Sequence, residues 1–164
     1  MELKLKLPSV YIETSVISYF TSKPSNDLFV LAKQHMTVIW WERVLPKLDA
    51  YISEHVLEEI LKGDKQASIK RAEASAKFRV LDRNIGIDRL AQEYLKASNL
   101  PKEARLDAQH IASATLYGLN YLVTWNCAHI ANAFIRRQIE KVNLNAGLET
   151  PVICTPEELW EIPK

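Results

Sequence analysis

The sequence predicts an α/β fold, a parallel sheet covered by helices on both faces. Three observations predict it. Short apolar strand-like runs alternate with helical patterns of ten or more residues, as βαβ units require. The runs are rich in β-branched and aromatic residues, as strands buried on both faces are. The chain has 164 residues, 48% apolar and 25% charged. That is one globular domain, residues 1–164, able to bury a core without staples.

Ser9 to Ile12 reads as the first strand, following Pro8. Thr14 and Ser15 then offer N-cap oxygens to a helix reaching about Tyr19. Pro24 to Asp27 restarts a helix with Leu28, Leu31, Ala32 and His35 on one face, continuing through Trp40 and Trp41. Asp49 to Ser53 is the second strand. Val56, Leu57, Ile60 and Leu61 repeat at helical spacing up to Gly63. Asp64 caps a helix to about Phe78, and Val80–Leu81 is a short strand. Ile85 to Ala97 is helical in period. Pro101 opens a helix that turns Leu106, Ile111, Ala114 and Leu116 inward and stops at Gly118. Tyr121 to Thr124 reads as a buried strand, with helix from about Cys127 to Val142 behind it. Pro151 to Cys154 is the last strand. Thr155-Pro-Glu-Glu158 then spells a capping box with Pro at the first helical position.

Basic and acidic residues number 21 and 20, a net charge of +1. This excludes the strongly basic footprint of a dedicated nucleic-acid binder, though not an enzyme that handles nucleic acid locally. With four glycines, and neither GxGxxG nor a P-loop pattern, dinucleotide and P-loop chemistry are excluded as well. No apolar stretch reaches the roughly 18 residues of a membrane span. Met1 to Pro8 alternates Leu with Glu or Lys and lacks a signal-peptide core. Cys127 and Cys154 form neither a metal knuckle nor a disulfide framework. They read as small buried apolar residues in a cytoplasmic protein with free thiols.

In parallel sheets, ligands sit outside the carboxyl ends of the strands. Glu13 follows the first strand, and Asn126 follows the Tyr121 strand. Glu59 lies one to two turns into the helix after the second strand. Asp107 sits among Leu106, Ala108, Ile111 and Ala112. An acid in such an apolar run needs a partner, because an unpaired buried charge is very costly. A hard divalent cation is one such partner, and oxygen-only ligands favour Mg²⁺ over zinc. The chemistry that uses such a site is metal-assisted phosphodiester hydrolysis.

Four segments, in order, resemble the motifs of PIN-domain ribonucleases, above all the VapC-type toxins of bacterial toxin–antitoxin pairs. They are Tyr11-Ile-Glu-Thr-Ser-Val-Ile-Ser-Tyr19, Ser53-Glu-His-Val-Leu-Glu-Glu-Ile60, Asp107-Ala-Gln-His-Ile-Ala112 and Leu122-Val-Thr-Trp-Asn-Cys-Ala-His-Ile-Ala-Asn132. The resemblance covers about residues 9 to 160. It implies a three-layer α/β/α PIN-like fold around a central parallel sheet. It also implies an acidic cluster that binds Mg²⁺ or Mn²⁺ and cleaves RNA. On it, Glu13, Glu59, Asp107 and Asn126 take the four catalytic and metal-ligating positions. Glu58 competes for the second; Glu59 is preferred because it directly precedes Ile60 and stands six after Ser53. A small antitoxin partner and a homodimer are implied too.

Two positions depart from the pattern. Glu13 stands where the family usually has Asp, which moves the carboxylate by roughly 1.5 Å. Asn126 stands where Asp is common, and an amide carries no charge. One well-bound metal is therefore expected in the free protein.

Thr14 and Ser15, Thr124 and His129 are supporting candidates, although capping, strand packing and helix packing explain them as well. His110 reads as a core or interface histidine. Trp40 and Trp41 suit base stacking but read first as packing residues. Lys70 and Arg71 in the basic middle third, and Arg136 and Arg137 in the late helix, are candidate RNA-backbone contacts. Two other functions fit the same residues: a PIN-fold module that binds RNA or a partner without cleaving, and a metal-dependent phosphatase or DNase.

Overall fold

The computed structural model describes residues 6–162, so the first five residues of the alternating segment Met1 to Pro8 lie outside it. Five strands form one sheet: β1 (Ser9–Ile12), β2 (Asp49–Ser53), β3 (Arg79–Leu81), β4 (Tyr121–Val123) and β5 (Val152–Cys154). Every pairing is parallel, in the order β3-β2-β1-β4-β5. Seven α-helices connect them: α1 (Thr14–Thr21), α2 (Leu28–Arg43), α3 (Glu54–Ile60), α4 (Lys65–Ser75), α5 (Ile85–Ser98), α6 (Arg105–Leu116) and α7 (Ala133–Ala146).

The strand order explains the layers. From β1 the chain steps outward to β2 and β3, then returns past β1 to β4 and β5. Right-handed crossovers in opposite directions put the connecting helices on opposite faces. Accordingly α1 packs with α2, α3 and α4, while α5 packs with α6 and α7. The result is a three-layer α/β/α fold. In β1, Val10, Tyr11 and Ile12 are fully buried, as a central strand covered twice must be. The order of strand addition reverses between β1 and β4, and the crevice outside that switch point is where ligands bind in such folds.

Several expectations need correction. α1 is capped by the Glu13 side chain, which accepts from the Ser15 N–H. Thr14 and Ser15 lie inside the helix with their hydroxyls free for other partners. On α2 the residues turned inward are Gln34, Thr37, Trp40 and Trp41. Leu28, Leu31, Ala32 and His35 face solvent. Leu116 is likewise exposed.

The helix after β4 starts at Ala133, not near Cys127, because Asn132 rather than an earlier residue caps it. Residues 127 to 131 form turns closed on the Asn126 carbonyl by Ile130 and Ala131. Cys154 is buried, but Cys127 is exposed. The Thr155–Glu158 box makes its two reciprocal bonds, at 2.9 and 3.3 Å. It closes a turn rather than starting a helix.

Packing uses the aromatics. Trp40 is fully buried and donates its indole N–H to the Leu159 carbonyl at 2.9 Å. Trp41 stacks on Phe20 with centroids 4.1 Å apart. Both tryptophans are therefore core residues. Among the described residues, no helix is long and apolar enough to cross a membrane.

Candidate active site

The site grows out of the switch point. The Glu13 backbone N–H extends the β1–β4 pairing by donating to Val123 at 3.1 Å, which fixes Glu13 at the carboxyl end of β1. Glu13 is 5% exposed. Its Oε2 accepts from the Ser15 N–H (3.1 Å), the Ser15 hydroxyl, and the Thr124 hydroxyl (2.7 Å). A buried carboxylate needs such donors, and hydrogen bonds to a charged group are the strong ones.

α3 brings in Glu59. Its Oε2 takes the Thr14 hydroxyl and lies 2.8 Å from His110 Nε2 on α6. His110 Nδ1 is 2.7 Å from the Tyr11 hydroxyl, which is 2.7 Å from Ser53 Oγ. Burial would raise the Glu59 pKa, but the His110 hydrogen bond and charge, then Thr14, outweigh it and hold the group below the ordinary glutamate value. Burial likewise opposes charge on His110. The Glu59 bond and the charges of Glu13, Glu59 and Asp107 nevertheless raise its pKa above the usual imidazole value. Burial foremost lifts the Tyr11 hydroxyl well above its usual pKa, so it remains a donor.

Asp107 and Asn126 form an adjoining group. The Asn126 side-chain N–H donates to Asp107 Oδ1 at 3.0 Å, and His129 Nδ1 lies 2.9 Å from Asp107 Oδ2. Asn126 Oδ1 accepts the His129 backbone N–H at 3.0 Å. Thr124 joins the two groups. It is fully buried, donates to Glu13 and accepts the Asn126 N–H at 2.9 Å.

Ligand atoms of Glu13, Glu59 and His110 lie within 4.8 Å of one another, the one such cluster among the described residues. Oε1 of both glutamates makes no hydrogen bond there, since each uses Oε2. Two carboxylates this close, each with one oxygen outside the hydrogen-bond network, fit a hard divalent cation. Asp107 does not join this cluster.

Glu59 turns toward Glu13 and His110, while Glu58 pairs with Arg83 at 2.5 Å. Thr14, Ser15 and Thr124 all touch the carboxylates. From sequence His110 reads as a core or interface histidine, and Tyr11 and Ser53 do not stand out as members of the site. The available signal was the spacing of three between Asp107 and His110, which puts both on one helix face.

The basic candidates lie elsewhere. Lys70 is exposed on α4. Arg71 donates to the Ile60 and Lys62 carbonyls at 3.0 and 2.6 Å, closing the end of α3. Arg136 grips Glu158 through two bonds of 3.1 and 2.9 Å. Arg136, Arg137 and Lys141 line an open cavity of about 550 Å³ on α7.

No protein-family model matches the chain. No curated protein matches it either. Solved structures do match in fold, two of them as follows. One is VapC20 from Mycobacterium tuberculosis, described as a sarcin–ricin-loop-cleaving toxin. It has a TM-score of 0.56 and 18% identity over 73% of this chain and 92% of that one. The other is VapBC2 from Rickettsia felis, bound to a DNA fragment from its promoter. It has a TM-score of 0.56 and 13% identity over 89% of this chain and 97% of that one. At such identities the likeness assigns architecture: the chain has the three-layer α/β/α, PIN-like fold of the VapC toxins.

Proposed function

We propose that this protein is a cytoplasmic, metal-dependent endoribonuclease, a single domain over residues 1–164, and the toxin of a toxin–antitoxin pair. The observation that carries the reading is the convergence of Glu13, Glu59 and His110, whose ligand atoms lie within 4.8 Å of one another, at the switch point of the sheet. RNA as substrate is supported by the sarcin–ricin-loop cleavage of VapC20. An antitoxin partner is supported by VapBC2. A homodimer completes the proposal.

In this reading Glu13, Glu59 and Asp107, with Asn126, hold Mg²⁺ or Mn²⁺. When bound, the cation supplies a water of lowered pKa and offsets charge on the scissile phosphate. The protein's own groups prepare the carboxylates. Ser15 and Thr124 fix Glu13 through Oε2 and leave Oε1 without a hydrogen bond. Thr14 and His110 do the same for Glu59, and His129 steadies Asp107. Lys70, Arg136 and Arg137 supply local positive charge for the RNA backbone. Arg71 contributes through its hold on α3. No covalent enzyme intermediate is required.

One observation favours a second reading, a catalytically inactive PIN-fold module that binds RNA or a partner. Asn126 already uses its Oδ1 to accept the His129 N–H and its nitrogen to donate to Asp107, and as an amide it adds no charge to the site.

The test is cleavage of a mixed RNA pool by the free protein with Mn²⁺, with Mg²⁺ and with EDTA, beside Asp107→Ala. Cleavage that requires both metal and Asp107 is expected. Metal binding without cleavage would contradict it and leave the second reading standing. Single-stranded DNA and a simple phosphate ester, run alongside, separate RNase from DNase and phosphatase.

A further inference from the structure

Beside the acidic cluster, on the same carboxyl edge, a cavity of about 390 Å³ opens between α3, the β3–α5 connection, α5 and α6. His55, Arg83, Ile85, Asp88, Arg105 and Gln109 line it. His55 stands four residues before Glu59 on α3, one helical turn away and on the same side. Arg105 and Gln109 share one face of α6 while Asp107, two residues from each, lies on another, and the charge of His110, which bonds Glu59, reaches His55. The cavity and the carboxylates are therefore neighbours.

His55 is only 6% exposed. Its ring lines the cavity and makes no hydrogen bond among the described residues. The ring carbons are packed away while the nitrogens keep access to the cavity, so they are free to bond a ligand there. Burial first, then the charges of Arg83 and His110, lower its pKa from the usual value. The neutral ring offers one donor and one acceptor.

The charges around it select the class of ligand. Arg83 is already held by Glu58 at 2.5 Å and Glu54 at 3.3 Å, and Arg105 by Asp88 at 3.4 Å. The Gln109 amide donates to Asp88 at 2.6 Å. Three carboxylates against two guanidiniums disfavour a free phosphate. An uncharged planar group with donors and acceptors on its edge is favoured, and the 69% exposed Ile85 gives it an apolar wall. Unstacked bases of single-stranded RNA are recognised in this way, by edge hydrogen bonds and by contact with flat side chains.

We propose that this cavity is a nucleobase subsite, which takes one unstacked base of the RNA next to the phosphate at the acidic cluster, with His55 paired to the base edge. The inference rests on the ribonuclease reading above.

The test titrates the full chain with each of the four nucleoside 5′-monophosphates and with inorganic phosphate, followed by NMR at the His55 imidazole. At least one nucleotide is expected to shift that ring saturably, and inorganic phosphate is not. His55→Leu, followed at the backbone amide of Asn84, which also lines the cavity, is expected to weaken that nucleotide about tenfold, the loss of one good hydrogen bond. His55→Gln, which keeps a donor and an acceptor, restores much of the binding and guards against a variant that fails to fold. A ring untouched by every nucleotide, or shifted as much by inorganic phosphate, overturns the proposal. The titration needs no turnover, so it is independent of whether RNA is cut. On a randomised RNA, the expected result is loss in His55→Leu of base preference at one position beside the cut, with Mn²⁺ affinity unchanged. An unchanged preference overturns the subsite while leaving the nuclease intact.

Discussion

His110 Nε2 lies 2.8 Å from Glu59 Oε2, while its Nδ1 lies 2.7 Å from the Tyr11 hydroxyl. Glu59, held below its ordinary pKa, can only accept, so the hydrogen between them sits on Nε2. A nitrogen that carries hydrogen has no lone pair for a metal. His110 therefore steadies Glu59 rather than joining it as a ligand, although its distance would permit either. Partners of this outer kind typically contribute 10–100-fold to metal affinity. His110→Leu is expected to weaken Mn²⁺ binding by that order, read by calorimetry, with His110→Gln partly restoring it. Undiminished affinity in His110→Leu would count against the positioning role.

Thr124 is the joint between the two halves of the site. It is fully buried, donates to Glu13 and accepts from the Asn126 N–H. Thr124→Val keeps the shape and removes both bonds, leaving a buried carboxylate short of a donor. The expected cost is about 1–3 kcal/mol of stability, with weaker Mn²⁺ binding. Urea unfolding and calorimetry on the same variant measure both.

Lys70 and Arg71 separate a charge role from a structural one. Lys70 is exposed, so Lys70→Glu is expected to weaken RNA binding and flatten its salt dependence while leaving the melting temperature alone. Arg71 holds the Ile60 and Lys62 carbonyls. Arg71→Ala is expected to lower stability by about 1–2 kcal/mol through those lost bonds. Equal losses of RNA binding without loss of stability would refute this division.

Glu158 gives a pH dependence away from the site. The hydrogen bond from Arg136 lowers its pKa, against the opposing effect of burial. A depressed carboxylate adds stability above its unfolded pKa and loses it as pH falls through the folded value. With the side chain 46% exposed, screening limits the contribution to about 1 kcal/mol or less. Wild type and Glu158→Gln should therefore differ near neutrality and converge under acid. Constant separation down to pH 3 would contradict the assignment.

All five strands were legible because buried parallel strands are written in short β-branched runs, and boundaries such as Ser9–Ile12 follow Pro8 directly. The places of Glu13 and Asn126 at the ends of β1 and β4 were legible, and strand ends are where such sheets bind. His110 was not. A histidine in an apolar helix looks like core, and its partner Glu59 lies 51 residues away, beyond any local pattern. The inward side of α2 was misread because Gln34 and Thr37 are buried there while Leu28 and Leu31 are not. Asn126 and Asn132 both resemble caps, and only the tertiary fold decides that α7 starts from the second.

The central claim is that Glu13 and Glu59 share one divalent cation, and Mn²⁺ calorimetry on the free protein tests it most directly. One well-occupied site is expected in the wild type, with affinity lost by at least tenfold in Glu59→Gln. Two equal tight sites, or the same binding in Glu59→Gln, would contradict it.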